Sequence, residues 1–144
     1  FGYGLSYGEF VYSDMKIPKP EVKPDELITV SCQVMNVSNA DATEIVQCYI
    51  SDRFASRTRP VKELVGFMRV LIPAGEQRAV TFFIEPSQTA FLDKDMRWKI
   101  EKGQFDVMLG KSSDEICFSK TVQVTEDAWI DGKRRAFYAR TEVR

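Results

Sequence analysis

The sequence predicts an all-β fold, two packed antiparallel sheets of about seven strands with an extended N-terminal segment and a C-terminal tail. Three observations predict it. Apolar and polar residues alternate with a period of two through much of the 144-residue chain. Turn residues punctuate these runs at short intervals, and long helical periodicity is hard to find.

The elements follow in chain order. Residues 1–10 crowd Phe1, Tyr3, Tyr7 and Phe10 among Gly2, Gly4 and Gly8. Glycine admits close approach of another chain, and aromatic rings gain most when covered. This segment is therefore expected to be a docking seam, with Phe1, Tyr3, Leu5 and Tyr7 against another part of a larger protein; a start without Met fits that expectation. A first strand is read from Glu9 to Ile17, and Pro18, Pro20 and Pro24 separate it from the next and guard its edge. From Leu27 to Val37, residues Ile28, Val30, Cys32 and Val34 share one face. A polar turn spans Asn36 to Ala42.

The strand Glu44 to Asp52 sets Val46, Cys48 and Ile50 on one face, while Ile45 and Tyr49 make its other face apolar enough to expect cover there too. Ser51 to Glu63 exceeds ordinary hairpin lengths, as an interaction loop would. Strands Leu64 to Ile72 and Val80 to Ile84 flank Pro73-Ala74-Gly75. Gln104 to Leu109, entered through Lys102-Gly103, and Glu115 to Val124 complete the seven. Residues 126–144 carry Lys133, Arg134, Arg135, Arg140 and Arg144 around Phe137 and Tyr138, and read as a solvated or partner-covered extension. The expected division is 1–17 for the seam and first strand, 18–125 for the sandwich, and 126–144 for a tail or linker to a further domain.

Twenty Lys and Arg against 21 Asp and Glu leave a net charge of −1, so there is no electrostatic reason to expect nucleic acid or an anionic membrane. No apolar run reaches the length of a membrane-spanning helix. Cys32, Cys48 and Cys117 lie in apolar alternating stretches without CxxC spacing and are read as buried free thiols, which favours a reducing, cytoplasmic setting and does not exclude secretion. A bridge between neighbouring strands is the alternative. With no histidine and scattered thiols, no metal and no cofactor are expected. The same lack removes the usual base for a Ser or Cys nucleophile.

Glu44, Asp52, Glu63, Asp93, Asp95 and Glu101 are acids by type, but strand ends and turns are where solvated carboxylates sit. No catalytic residue is assigned. Arg57, Arg59 and Lys62, with Pro60 stiffening the turn, read either as a solvated rim or, for Arg59, as a guanidinium donating to carboxylates or carbonyls of a neighbouring domain. Asn36-Val37-Ser38 matches the glycosylation triplet, a pattern that arises often by chance.

Five ordered motifs carry a resemblance: Phe-Gly-Tyr-Gly-Leu-Ser-Tyr at 1–7, Glu44 to Asp52, Arg59 to Val70, Pro73-Ala-Gly-Glu76, and Gly103 to Gly110 followed by Ser112-Ser113. The chain resembles, over roughly residues 1–125, the fibronectin type III-like domain that follows the α/β-sandwich domain in family 3 glycoside hydrolases, particularly β-glucosidases and β-xylosidases. The turn Asn36-Val37-Ser38-Asn39 departs from it by lacking a glycine. The resemblance implies an immunoglobulin-like, fibronectin type III-like sandwich without catalytic residues of its own, since the family's nucleophile lies in its barrel domain. It implies an accessory role in a retaining glycosidase of β-glucosidase or β-xylosidase type, with the barrel and α/β-sandwich domains of the same chain as partners. The interdomain seam would then comprise Phe1, Tyr3, Leu5, Tyr7, Arg57, Arg59 and Pro60. Two other classes remain open: a carbohydrate-binding module, which needs a coplanar pair of exposed rings on one sheet face, and an adhesion-type sandwich.

Overall fold

The structure, a computed structural model, describes residues 8–52 and 62–144. Among these, twelve strands form: β1 Phe10–Lys16, β2 Glu21–Val22, β3 Ile28–Asn36, β4 Ala42–Asp52, β5 Glu63–Ile72, β6 Gln77–Ile84, β7 Phe91–Leu92, β8 Trp98–Ile100, β9 Gly103–Ser112, β10 Glu115–Val124, β11 Ala128–Ile130 and β12 Arg140–Val143. A four-stranded sheet in the order β1-β3-β6-β12 packs on a five-stranded sheet, β2-β10-β9-β4-β5, and β11-β8-β7 form a third, small sheet. All pairings are antiparallel except β2 with β10.

The seven expected strands are all present, and the alternation that predicted them lines the core. Ile28, Val30, Cys32 and Val34 of β3 and Val80, Phe82 and Ile84 of β6 are buried against Val46, Cys48 and Ile50 of β4 and Phe105, Val107 and Leu109 of β9. Each such side chain contributes about 1.5–3 kcal/mol when fully buried. The second face of β4 is covered as well, with Tyr49 and Gln47 buried and Ile45 half-buried. Strict alternation fails once in β1. Asp14 takes a left-handed φ of 54° at a break in the β1–β3 register, and this bulge returns Met15 to the core.

Asn36 does the work expected of a turn glycine. Its side-chain oxygen accepts hydrogen bonds from the Ser38 amide and hydroxyl at 2.9 and 2.6 Å, and its amide nitrogen donates to the carbonyls of Ala40 and Ile72 at 2.9 and 2.8 Å. Buried with that nitrogen fully committed, the side chain has no room for a glycan in the folded domain. The Asn36 carbonyl also accepts from Gly75, whose φ of +78° turns β5 into β6.

Three expectations are corrected. Cys117 is exposed, unlike Cys32 and Cys48; it falls where the β10–β9 register slips between Ile116 and Phe118. Glu44, expected to be solvated, is 1% exposed. Residues 126–144, expected as a solvated or partner-covered extension, instead join the domain in part, since β11 pairs with β8 and β12 pairs with β6 along Arg140–Val143.

Candidate functional site

Among the described residues β5 is the outer strand of its sheet, with β4 as its one neighbour. Val65, Val70 and Ile72 point inward, leaving Phe67 (52% exposed) and Leu71 (62% exposed) on the outer face beside Arg69. Two distant segments meet at one atom of this strand: the Val65 carbonyl accepts from the Ala139 amide at 2.7 Å and from the Gln88 side chain at 3.0 Å. Gly66 makes room for this meeting. A β-carbon there would lie 3.0 Å from the Phe82 ring and 3.1 Å from Ala139.

Gln88 belongs to a buried 3-10 turn, Pro86–Thr89, which had no apolar pattern to announce it. This turn receives the C-terminal segment. Arg135 donates to the carbonyls of Gln88 and Ala90, both at 3.1 Å, and its guanidinium lies 5.2 Å from the Trp98 ring centroid and 5.3 Å from that of Phe137. The Ala136 amide donates to Ser87 at 3.0 Å. Pinned on both sides, the segment presents Phe137 and Tyr138 outward, 69% and 64% exposed.

Tyr138 stands between two hollows. One, of about 370 Å³, is floored by Val65 and Gln88 and edged by Lys62 and Phe137; the other, of about 140 Å³, lies by Leu27, Phe83 and Arg140. The rings of Phe67 and Tyr138 are 6.1 Å apart and meet edge to face at 86°. The remaining exposed ring of note, Trp129, donates its indole N–H to Asp93 at 2.9 Å and has Arg97 and Lys99 each 5.2 Å from its centroid.

The sequence-predicted seam residues Phe1, Tyr3, Leu5, Tyr7, Arg57, Arg59 and Pro60 lie outside the described residues. Lys62, next to them, donates to the Ser113 carbonyl at 2.6 Å. Of the acids named in the sequence, Asp93, Asp95 and Glu101 line one hollow of about 370 Å³ beside Trp129, among Lys94, Arg97 and Lys99, whereas Asp52 and Glu63 lie on β4 and β5. Asp93 accepts from the amides of Asp95 and Arg97 at 2.9 and 3.0 Å as well as from Trp129, and these bonds, that of Arg97 foremost, hold its carboxyl below the usual range. Glu101 lies 3.8 Å from Lys99, and Glu44 lies in the core. Among the described residues no group of three or more His, Cys, Asp or Glu is placed to hold a metal. Phe67 was missed in the sequence because the stretch Leu64 to Ile72 is apolar on both faces; its spacing with Arg69 and Leu71 was the available signal.

A family model described as the fibronectin type III-like domain matches residues 44–113. The thermostable β-glucosidase B of Acetivibrio thermocellus is 39% identical over 131 residues, covering 90% of this chain, and a putative β-xylosidase of Formosa agariphila is 43% identical over 113 residues, covering 78%. The structure of β-glucosidase 3B from Thermotoga neapolitana in complex with glucose superposes with a TM-score of 0.81 at 30% identity over 91% of the chain.

The chain belongs to the fibronectin type III-like domains of family 3 glycoside hydrolases. It spans 17% and 15% of the two curated relatives and 18% of the solved chain, so in those proteins the matching domain is one part of a much longer polypeptide. The all-β sandwich expected of such a domain is the one observed.

Proposed function

We propose that this fibronectin type III-like domain is a non-catalytic brace of a β-glycoside hydrolase of β-glucosidase type, fixing the relative positions of the parent's barrel and α/β-sandwich domains. The observation that carries the reading is coverage: 78–91% of this chain matches a small, similar share of two β-glucosidases and a putative β-xylosidase. Burial of apolar surface at a domain seam stabilises by roughly 25 cal/mol per Å² before ordering costs are subtracted. The seam comprises Phe1, Tyr3, Leu5, Tyr7, Arg57, Arg59 and Pro60, with hydrolysis performed elsewhere in the parent.

Carbohydrate binding by this domain is the weaker reading. A sugar platform needs coplanar rings, whereas Phe67 and Tyr138 stand at 86° and Trp129 is held by Asp93 with two cations against it. The test is to assay the 144-residue chain on aryl β-glucosides and β-xylosides, beside the parent with and without the domain. The brace gives no turnover alone and a parent that loses thermal stability when the domain is removed. Saturable turnover by the isolated chain would refute it.

A further inference from the structure

We infer that Phe67, Phe137 and Tyr138, rimmed by Lys62, Arg69 and Arg140, form the face on which the rest of the parent chain docks, and that the docking surface there is apolar and bordered by carboxylates. The inference rests on the brace reading and gives it a location. Phe67 and Leu71 share the outer face of β5 on either side of Arg69, the Phe67 ring meets that of Tyr138 at 6.1 Å, and Phe137 lines the same hollow as Tyr138; each of the four is more than half exposed. Isolated exposed apolar residues need no explanation, but a gathered patch on an outer strand is either covered or an aggregation hazard.

Shape and charge name the occupant. Tyr138 as a ridge between hollows of about 370 and 140 Å³ suits interdigitation with another protein surface better than a flat ligand. Lys62, Arg135 and Arg140 line the two hollows against Glu63 and Glu85, and Arg69 stands exposed between Phe67 and Leu71 on β5, so the excess charge is positive and a carboxylate-bearing surface is the complement. Relatives carry more than four-fifths of their length outside the matching domain, which supplies a tethered surface at high effective concentration. Lys62 also joins this face directly to the loop expected at the seam.

Hydroxyl-radical footprinting with mass spectrometry tests the face without substitutions, comparing the 144-residue chain with the full-length parent against an added dosimeter. The expected result is that modification of Phe67 and Tyr138 falls by about an order of magnitude in the parent, as for side chains moved to the dry centre of an interface. In the parent, Arg69→Glu with Arg140→Glu should restore part of the Tyr138 modification, most at low salt. Equal rates for Phe67 and Tyr138 in both proteins overturn the inference, as does protection that rises with concentration of the isolated chain and is absent from the parent, which would make a second copy the occupant. The brace reading fails by a different result, glycoside turnover from the isolated chain, so the two failures are separable.

Discussion

Tyr12 donates its phenolic hydrogen to Glu44 at 3.0 Å, joining the inner faces of the two sheets across 32 residues of sequence. Both side chains are buried. Burial first, and then the neighbouring carboxylate, push the Tyr12 hydroxyl well above its ordinary value, so it remains a donor throughout the range in which the domain is handled.

Removing that donor should be costly for its size. Tyr12→Phe keeps the ring and withdraws one hydrogen bond from a buried carboxylate, so the variant is expected to lose about 1–3 kcal/mol. Urea unfolding measures it, with an unchanged midpoint as the contrary result. Tyr12→Phe combined with Glu44→Gln should cost less than the sum of the two single changes, because the pair is coupled.

The thiols should divide two to one. Cys32 and Cys48 are buried, and burial pushes Cys32 up to about 12 and raises Cys48 also; partial burial raises the Cys117 thiol too, but Cys117 is exposed to a reagent and the other two are not. Reaction with a disulfide reagent at mildly alkaline pH should therefore release one equivalent from the native domain and three after unfolding. Rapid reaction of all three in the native state would contradict the placement.

Asp93 makes stability depend on pH on the acid side. Its folded-state carboxyl titrates below the ordinary value near 3.9, so the unfolded chain binds the proton first as pH falls. The contribution is present in full above that ordinary value and is lost as pH drops through the lower folded one. Asp93→Asn should narrow the acid-side fall in melting temperature between about pH 5 and pH 2. Parallel pH profiles for variant and wild type would show that Asp93 has no such role.

Ending the chain after Thr125 deletes β11, β12 and the Arg135 contacts. The Ala139–Val65 bond and the paired Arg144–Ala79 bonds are lost together with the β12–β6 ladder. At about 1 kcal/mol per bond the shortened chain should lose at least about 3 kcal/mol, and its uncovered β6 edge should promote association. Denaturant midpoints and light scattering measure both effects. An equally stable, monomeric short chain would make the segment dispensable.

The sandwich was legible because its central strands face a core on one side and a polar surround on the other, so Ile28 to Val34 and Val80 to Ile84 write the alternation plainly. The third sheet and β12 were not. Edge strands of three or four residues such as Arg140-Thr-Glu-Val143 are held by backbone pairing with only Val143 packed on the core, and a period of two cannot emerge from so short a run. Glu44 was misplaced for a related reason, since a carboxylate becomes tolerable in a core through a partner such as Tyr12, which lies 32 positions away. The candidate surface was half visible. Phe137 and Tyr138 stood out among cations, but their alignment with Phe67 depends on Gln88 and Val65, and no local pattern links 67, 88 and 138.

The doubly bonded carbonyl of Val65 also sets an order of events. Residues 135–143 leave the ribosome after every other strand, yet they complete the border of β6 and the margin of β5. Until they emerge, a nascent domain has its interior residues in hand and one flank unsealed. Closure is thus the last step in this domain's own assembly, and the long-range character of the contacts makes it a slow one.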